Sequence, residues 1–172
     1  MQITKKVARC GAGLKHINPY LVASRAISGI YDGVTTTELD TLLMQTAAML
    51  ISEEPEYSKL SARLLTIFID KEVSLNGIKS FHDSIVYGHA KGLIADSTLE
   101  FVTEHKTQLN QAIMEERCDL FEYFGLRTVY DRYLLKDPQK RTIIESCQFF
   151  FMRVACGLAQ SVDETIEFYR LI

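Results

Sequence analysis

The sequence predicts an all-α, mostly helical protein with one small β-hairpin near residues 133–144. Apolar residues recur at intervals of three and four along most of the chain, which is the period of an amphipathic helix. Asn, Thr or Ser precedes several of these stretches and is typical of a helix N-cap. Two short β-prone runs lie on either side of Asp137-Pro138, and this dipeptide favours a turn.

Four helices are predicted in the first 76 residues. The first is amphipathic and spans about residues 3–14. Asn18 caps the second, which has Pro19 at its first position and ends near residue 31. Thr35 and Glu38 form a capping box for the third, which ends near residue 52. The fourth begins at Pro55 and ends near Asn76-Gly77.

The second part of the chain reads as shorter helices around one aromatic, apolar stretch, residues 117–158. Predicted helices span residues 81–91, 97–103, from 105 or 107 to about 114, 126–133, 145–159 and 161–171. We expect a sharp turn at Gly125. Phe149, Phe150 and Phe151 are consecutive and point in three directions around their helix, so that helix needs cover on most sides. We therefore expect an exposed apolar patch there, and the abrupt helical patterns at both termini suggest further sequence on either side.

Composition excludes several classes of protein. Hydrophobic residues make up 47% and charged residues 24% of the 172 residues, as in a globular domain. A net charge of −3 argues against nucleic acid as a partner. No apolar run is long enough to cross a membrane and no signal peptide is recognisable, so we expect a cytoplasmic protein with reduced cysteines.

The residues supply no catalytic constellation. There is no phosphate-binding P-loop and no dinucleotide fingerprint. His82 and His89 lie seven residues apart, too far for a chelating pair on one helix. We predict that the four cysteines are mostly buried, with Cys147 and Cys156 as small hydrophobes, and that Glu115, Glu116 and Asp119 form a solvated acidic face. No catalytic residue and no metal site is therefore predicted.

Several segments resemble the large, catalytic subunit of class I ribonucleotide reductase. Residues 31–40 match its turn-and-helix pattern through Tyr31, Gly33 and Thr36, and residues 55–63 match its P-x-Y-x-x-L-A-A-R pattern. FEYFGLRTVYDRYLLK resembles the aromatic Y-F-G segment of the family, and QFFFMRVACGL resembles its Q-x-x-[ML]-x-R-V helix. The order and spacing agree along nearly the whole chain.

The resemblance implies the N-terminal all-α region that precedes the catalytic barrel of the family. Residues 1–76 resemble the remnant of an ATP-cone and its junction, and residues 77–172 the N-terminal all-alpha domain. The radical-carrying and reducing cysteines of the family belong to the barrel, so the resemblance gives none of the four cysteines a catalytic role. Thr36 and Lys71 match two positions that help to hold the allosteric adenine nucleotide, ATP or dATP. The alternative for this pair is a capping threonine and a surface lysine.

The implied function is a structural contribution to ribonucleotide reduction for DNA precursor synthesis, by a chain that is inactive alone. The implied partners are a barrel-bearing reductase chain, the small radical-generating subunit of the assembly, and a second copy of the protein. An alternative is a free-standing, non-catalytic regulatory or interaction module that senses adenine nucleotides.

Overall fold

The computed structural model describes residues 2–172, and these residues are predominantly helical, as predicted. Ten α-helices occur in this part of the chain: α1 (Gln2–Cys10), α2 (Pro19–Ser28), α3 (Thr36–Met49), α4 (Tyr57–Leu75), α5 (Phe81–Ala90), α6 (Asp96–Glu104), α7 (Lys106–Ala112), α8 (Tyr123–Arg132), α9 (Cys147–Leu158) and α10 (Val162–Leu171). Two 3₁₀ helices span Leu50–Ser52 and Glu115–Leu120.

The predicted caps set the starts of several helices. The Asn18 side chain accepts hydrogen bonds from the amides of Tyr20 and Leu21 at the start of α2. Ser80 and Ser161 cap α5 and α10 in the same way, and Ser146, which was not predicted as a cap, does so for α9. These side chains satisfy amide groups that have no partner within their own helix.

The chain forms two compact units. The first comprises the residues up to Phe68 together with Asp119–Thr128, and the second comprises Ile69–Cys118 and Val129–Ile172. In the first unit α1 packs on α2 and α2 packs on α3. The core of that unit includes Val7, Val22, Leu43, Leu50, Leu60 and Leu64.

In the second unit α9 packs against α10, α5 and α6. Phe149 of α9 meets Phe81 of α5 in an edge-to-face contact, with 6.1 Å between ring centroids. Ile143, Met152 and Tyr169 are completely buried in the same core. The apolar helix predicted from the sequence therefore is the centre of this unit.

The predicted β-hairpin near residues 133–144 is wrong. The described chain contains only an isolated antiparallel bridge there, between Lys136 and Ile143. The bridge does not extend, because the next rung of a ladder needs the amide of Leu135 and the carbonyl of Ile144. The Leu135 amide donates instead to the Glu145 side chain, and the Ile144 carbonyl accepts from the Ser84 hydroxyl, so no strand forms.

The predicted sharp turn at Gly125 is also wrong. Gly125 lies inside α8, and the amide of Leu126 donates to the carbonyl of Glu122 at 3.0 Å in the usual helical manner. A glycine inside a helix costs about 1 kcal/mol relative to alanine, which the packing of the buried Tyr123 and Leu126 can offset.

Candidate functional site

The first predicted nucleotide residue, Thr36, is the exposed first residue of α3. Thr35 caps this helix, and Glu38 completes the predicted capping box by accepting from the Thr35 amide and hydroxyl, both at 2.8 Å. The Tyr31 hydroxyl donates to the other oxygen of Glu38 at 3.0 Å. The hydrogen bonds from Thr35 and Tyr31 lower the pKa of the Glu38 carboxyl.

This arrangement limits what the start of α3 can bind. Amide groups at a helix N-terminus attract anions, but the Glu38 carboxylate at this end of α3 already accepts from the Thr35 amide. A phosphate group bound at the start of α3 would lie near this negative charge. Thr36 is therefore next to a residue that holds a carboxylate at the helix start.

The second predicted nucleotide residue, Lys71, is half-buried on α4. It belongs to the second unit, whereas Thr36 belongs to the first. Each residue is thus placed within its own unit, and their assignment to one nucleotide site stays a prediction.

Arg63 of α4 connects three parts of the first unit. Its guanidinium donates to both carboxylate oxygens of Asp119, at 2.5 and 2.8 Å. It also donates to the carbonyls of Cys10 and Ala12, both at 2.9 Å, where α1 ends. This charge-assisted bond lowers the pKa of Asp119 and raises that of Arg63. Asp119 is exposed, as predicted for the acidic face, but the sequence did not reveal its arginine partner.

Lys59, one turn before Arg63, holds the same segment. Its ammonium group donates to the consecutive carbonyls of residues 119, 120 and 121, at 3.0, 3.1 and 3.2 Å. Ser58 accepts a hydrogen bond from the amide of Tyr123. One face of α4 therefore fixes residues 119–123 by side chains from three positions.

Other residues of the family-like segments also hold the first unit together. The Tyr57 hydroxyl accepts from the amide of Asn18 at 2.9 Å, and Glu56 accepts from the amide of His16 at 2.5 Å. Asp40, which is 8% exposed, pairs with Lys6 of α1 at 2.6 Å. These contacts join the loop after α1 and α1 itself to α4 and α3.

The centre of the second unit contains a buried carboxylate, Glu145, which is 1% exposed. Arg153 of α9 donates to its two oxygens at 2.8 and 2.9 Å, and the amide of Leu135 donates to it at 2.7 Å. Arg153 also lies over the ring of Phe150, 5.4 Å from its centroid. The arginine of the family-like α9 motif is therefore used to neutralise a buried acid.

The glutamine of the same motif, Gln148, has an internal role as well. It accepts from the buried Tyr169 hydroxyl at 2.6 Å, and that hydroxyl accepts from the amide of Met114 at 2.9 Å. Three segments of the second unit thus meet at one phenol group.

Asp137 forms a third network in the second unit. This fully buried carboxylate accepts from the amides of Gln139 and Lys140 and from the Tyr87 hydroxyl. Lys91 pairs with it at 3.0 Å. The hydrogen bonds from Lys140 and Tyr87 hold the pKa of Asp137 well below its usual range.

The thiol groups of three cysteines are poorly suited to nucleophilic chemistry. Burial raises the pKa of Cys10 and Cys147, and raises that of Cys156 to about 12. These groups therefore stay protonated near neutral pH, and a thiol is far less nucleophilic than a thiolate. Within residues 2–172, no group of three His, Cys, Asp or Glu side chains is placed to hold a metal ion. In the same residues no helix is long and apolar enough to cross a bilayer.

The outer side of α9 is only partly covered. Phe149 is 6% exposed, but Phe150 and Phe151 are half-buried and Leu158 is 62% exposed. Tyr133 is 55% exposed and contacts the Phe150 ring, with 6.0 Å between centroids. We call Tyr133, Phe150, Phe151 and Leu158 the α9 face. It lies where the sequence predicted exposed apolar side chains.

A cleft of about 350 Å³ opens elsewhere in the second unit. Its walls combine acidic, basic, hydroxyl and apolar side chains: Asp70, Val73, Ser74, Ile78, Lys79, Glu115, Ser146 and Phe149. The two acids come from different elements, α4 and the 3₁₀ helix Glu115–Leu120.

Comparison with known proteins gives a consistent result. A family model described as "Ribonucleotide reductase, all-alpha domain" matches residues 119–172. The chain is 36% identical to the ribonucleoside-diphosphate reductase large subunit of vaccinia virus, over 99% of this chain and 23% of the viral protein. The large chain of Schizosaccharomyces pombe is 34% identical and the large subunit of Arabidopsis thaliana 32% identical, each over 99% of this chain and 22% of the relative. The chain thus spans less than a quarter of the length of these relatives.

Proposed function

Since the chain belongs to the family of ribonucleotide reductase large subunits and matches their N-terminal all-alpha region, we propose that it is the helical framework of such a reductase. In this proposal the complete assembly reduces ribonucleoside diphosphates to deoxyribonucleotides in the cytoplasm. The catalytic barrel, which the 172 residues do not include, supplies the reacting cysteines. This chain supplies a support for the barrel and no reacting group.

The roles of the motif residues support this proposal most strongly. Arg63, Gln148 and Arg153 come from the segments that resemble the family, and each makes hydrogen bonds inside its own unit. A conventional active site would leave such side chains directed toward a substrate. A framework uses them to fix helices, as found here.

The α9 face is the surface that we assign to the barrel-bearing partner. Exposed aromatic and aliphatic side chains that lie close together are typical of protein contacts rather than of free surface. The other proposed partners are the small radical-generating subunit and a second copy of the large subunit.

Association with a barrel-bearing chain tests this proposal. The vaccinia large subunit without its matched region serves as the partner in gel filtration and calorimetry. We expect a complex with the wild-type chain and at least tenfold weaker binding for Leu158→Glu. Leu93→Glu, a change at another exposed leucine of the second unit, should bind like wild type. A stable monomer that binds no barrel-bearing chain would instead favour the free-standing regulatory module.

We further propose that Thr36 and Lys71 contribute to an allosteric site for ATP or dATP. The exposed position of Thr36 supports a polar contact with the base or ribose rather than with a phosphate, because the negatively charged Glu38 is bound to the adjacent Thr35. Lys71 then serves the phosphates through its positive charge.

Calorimetry with ATP and dATP tests this second proposal. Thr36→Val and Lys71→Met should each weaken binding about tenfold or more, whereas the neighbouring Thr37→Val should not. Absence of saturable binding to the wild-type chain would refute a nucleotide site in these residues.

A further inference from the structure

Helix α4 ends on an asparagine–glycine pair, Asn76-Gly77. Gly77 has a φ of 78°. Its amide donates to the carbonyl of Ser74 at 3.0 Å, and the amide of Ile78 donates to the carbonyl of Val73 at 3.4 Å. These two hydrogen bonds form a Schellman motif, which ends a helix on a residue in the left-handed conformation. Glycine adopts that conformation without strain, so the way in which α4 ends accounts for a glycine directly after Asn76.

The side-chain amide of Asn76 ties the end of α4 to the segment that follows the Lys136–Ile143 bridge. Its Nδ2 donates to the carbonyl of Glu72 at 3.1 Å, to the Thr142 hydroxyl at 3.0 Å and to the Ile143 carbonyl at 3.1 Å. Two of these partners are carbonyl oxygens, which can only accept, so the amide nitrogen rather than the amide oxygen faces them. The Asn76 side chain therefore acts in this contact as a hydrogen-bond donor.

An asparagine followed by glycine is chemically reactive. The backbone nitrogen of the glycine loses its proton to water and attacks the side-chain carbon Cγ of the asparagine. A C–N bond forms, the Cγ–Nδ2 bond breaks, and Nδ2 takes up a proton and leaves as ammonia. Water then opens the resulting succinimide ring and gives aspartate or isoaspartate, so the reaction consumes water and needs no oxidant or reductant. Glycine permits the attack because it has no side chain to hinder ring closure.

The other two asparagines of the sequence lack this combination. Asn18 precedes a proline, whose nitrogen carries no hydrogen, and Asn110 precedes a glutamine, whose side chain hinders ring closure. Asn110 also uses its side-chain oxygen, which accepts from the amide of His82 at 3.1 Å and which an aspartate would keep. Asn76 differs in having both a glycine neighbour and a donor that the reaction removes.

We propose that Asn76 is a site of spontaneous deamidation, which the native fold slows and whose conversion irreversibly releases residues 142–143 from α4. In the native chain the attacking nitrogen, that of Gly77, is bound to the carbonyl of Ser74, and the Asn76 side chain is bound to three acceptors. Ring closure therefore requires local opening of the end of α4. The inference does not depend on the proposed reductase function.

The product disrupts the contact that held its precursor. An aspartate at position 76 cannot donate to the carbonyls of Glu72 and Ile143, and its negative charge lies against these two oxygens. The Ile143 carbonyl, on a fully buried residue, then loses its donor, which is costly for a buried polar group. Isoaspartate in addition lengthens the main chain within the Schellman motif. Conversion therefore loosens residues 142–143.

Ageing of the 172-residue chain, followed by proteolysis and mass spectrometry, tests whether the fold slows the reaction. We expect Asn76 to convert in the urea-unfolded chain, and to convert about tenfold or more slowly in the native chain at the same pH and temperature. Asn18, the internal control, should not convert measurably over the same time in either state. Equal rates for Asn76 in the two states, or no conversion in urea, would overturn the proposal.

A variant at position 142 tests whether the contact itself provides the protection. Thr142→Val removes one acceptor of the Asn76 amide, so conversion in the native chain should be several-fold faster while the rate in urea stays the same. Thr107→Val, at an exposed position on α7, is the matched control and should convert like wild type. A native rate in Thr142→Val that equals that of wild type would show that this contact does not protect Asn76.

Hydrogen exchange of the Asn76→Asp variant tests the release of the segment. The amides of Ile143 and Ile144 are held by hydrogen bonds to a side chain and to a carbonyl, and they should exchange several-fold faster in this variant than in wild type. Asn110→Asp, which keeps its accepting oxygen, is the matched control and should leave both rates unchanged. Wild-type exchange of these two amides in Asn76→Asp would overturn the release.

Discussion

Replacement of Arg153 by methionine probes the centre of the second unit. Methionine keeps most of the aliphatic length of arginine but removes the guanidinium group that donates two hydrogen bonds to Glu145. Glu145, only 1% exposed, would then retain a single donor, the amide of Leu135. The variant therefore leaves a buried charge without its counter-charge.

The expected loss is large. Removal of one partner of a buried ion pair costs about 3–5 kcal/mol, because the remaining charge stays desolvated. For a chain of this size each kcal/mol lowers the melting temperature by roughly 2–4 °C, so the melting temperature should fall by roughly 6–20 °C. Urea unfolding followed by circular dichroism gives the free energy, and a thermal melt gives the temperature.

Three further variants separate the charge effect from simple loss of packing. Arg153→Lys keeps the charge but not the planar fork and should give an intermediate loss. Arg170→Met, at an exposed position of α10, should change the stability by less than about 0.5 kcal/mol. Glu145→Gln combined with Arg153→Met removes the buried charge and should recover part of the loss. A single Arg153→Met variant within about 0.5 kcal/mol of wild type, or a double variant without recovery, would refute the reasoning.

Other perturbations give distinct results. Thr35→Ala should cost about 0.5–2 kcal/mol in urea unfolding because the capping box of α3 is lost; no measurable loss would contradict the cap. Arg63→Met should cost about 1–3 kcal/mol through lost charged hydrogen bonds, whereas the exposed Arg25→Met should cost less than about 0.5 kcal/mol; equal losses would refute the role of Arg63. Ile143→Ala should cost about 2–5 kcal/mol at its fully buried site, and a loss under 1 kcal/mol would argue against that packing. Because the folded-state pKa of Asp137 is depressed, the stability difference between wild type and Asp137→Asn should be constant from pH 8 to about 5 and shrink below about pH 4; a difference that grows in acid would contradict it.

Local signals in the sequence were sufficient for most helix starts. Asn18, Thr35 and Ser161 act within three residues of themselves, so their spacing predicts the cap geometry that the structure contains. The apolar spacing of α9 likewise predicts its central place, since a helix with apolar side chains on most sides must be buried.

The errors arose where distant residues determine the local structure. The segment around Asp137 has the composition of a hairpin, but the side chains of Glu145 and Ser84 take the backbone groups that the next rung of a ladder would use. Glycine is common in turns, yet Gly125 lies inside α8. Its neighbours in that helix, Tyr123 and Leu126, are buried. Contacts with distant residues and burial in the core cannot be predicted from a window of a few residues.

For the functional residues, too, the sequence indicates some features and only the fold shows the others. Resemblance located Arg63 and Arg153 as motif residues but did not indicate what they contact. Their partners, Asp119 and Glu145, lie 56 residues after Arg63 and eight residues before Arg153. Only the fold shows that both arginines neutralise acids within the protein, which is why we describe the chain as a framework.

Ribonucleotide reduction by a reconstituted assembly tests this central claim most directly. The 172-residue chain is mixed with the vaccinia large subunit that lacks its matched region and with the corresponding small subunit, and deoxyribonucleotide formation is measured. We predict no turnover by the 172-residue chain alone, turnover by the mixture, and strongly reduced turnover when the chain carries Leu158→Glu. Turnover by the isolated chain, or a mixture that is no more active than the barrel-bearing chain with the small subunit, would contradict the account.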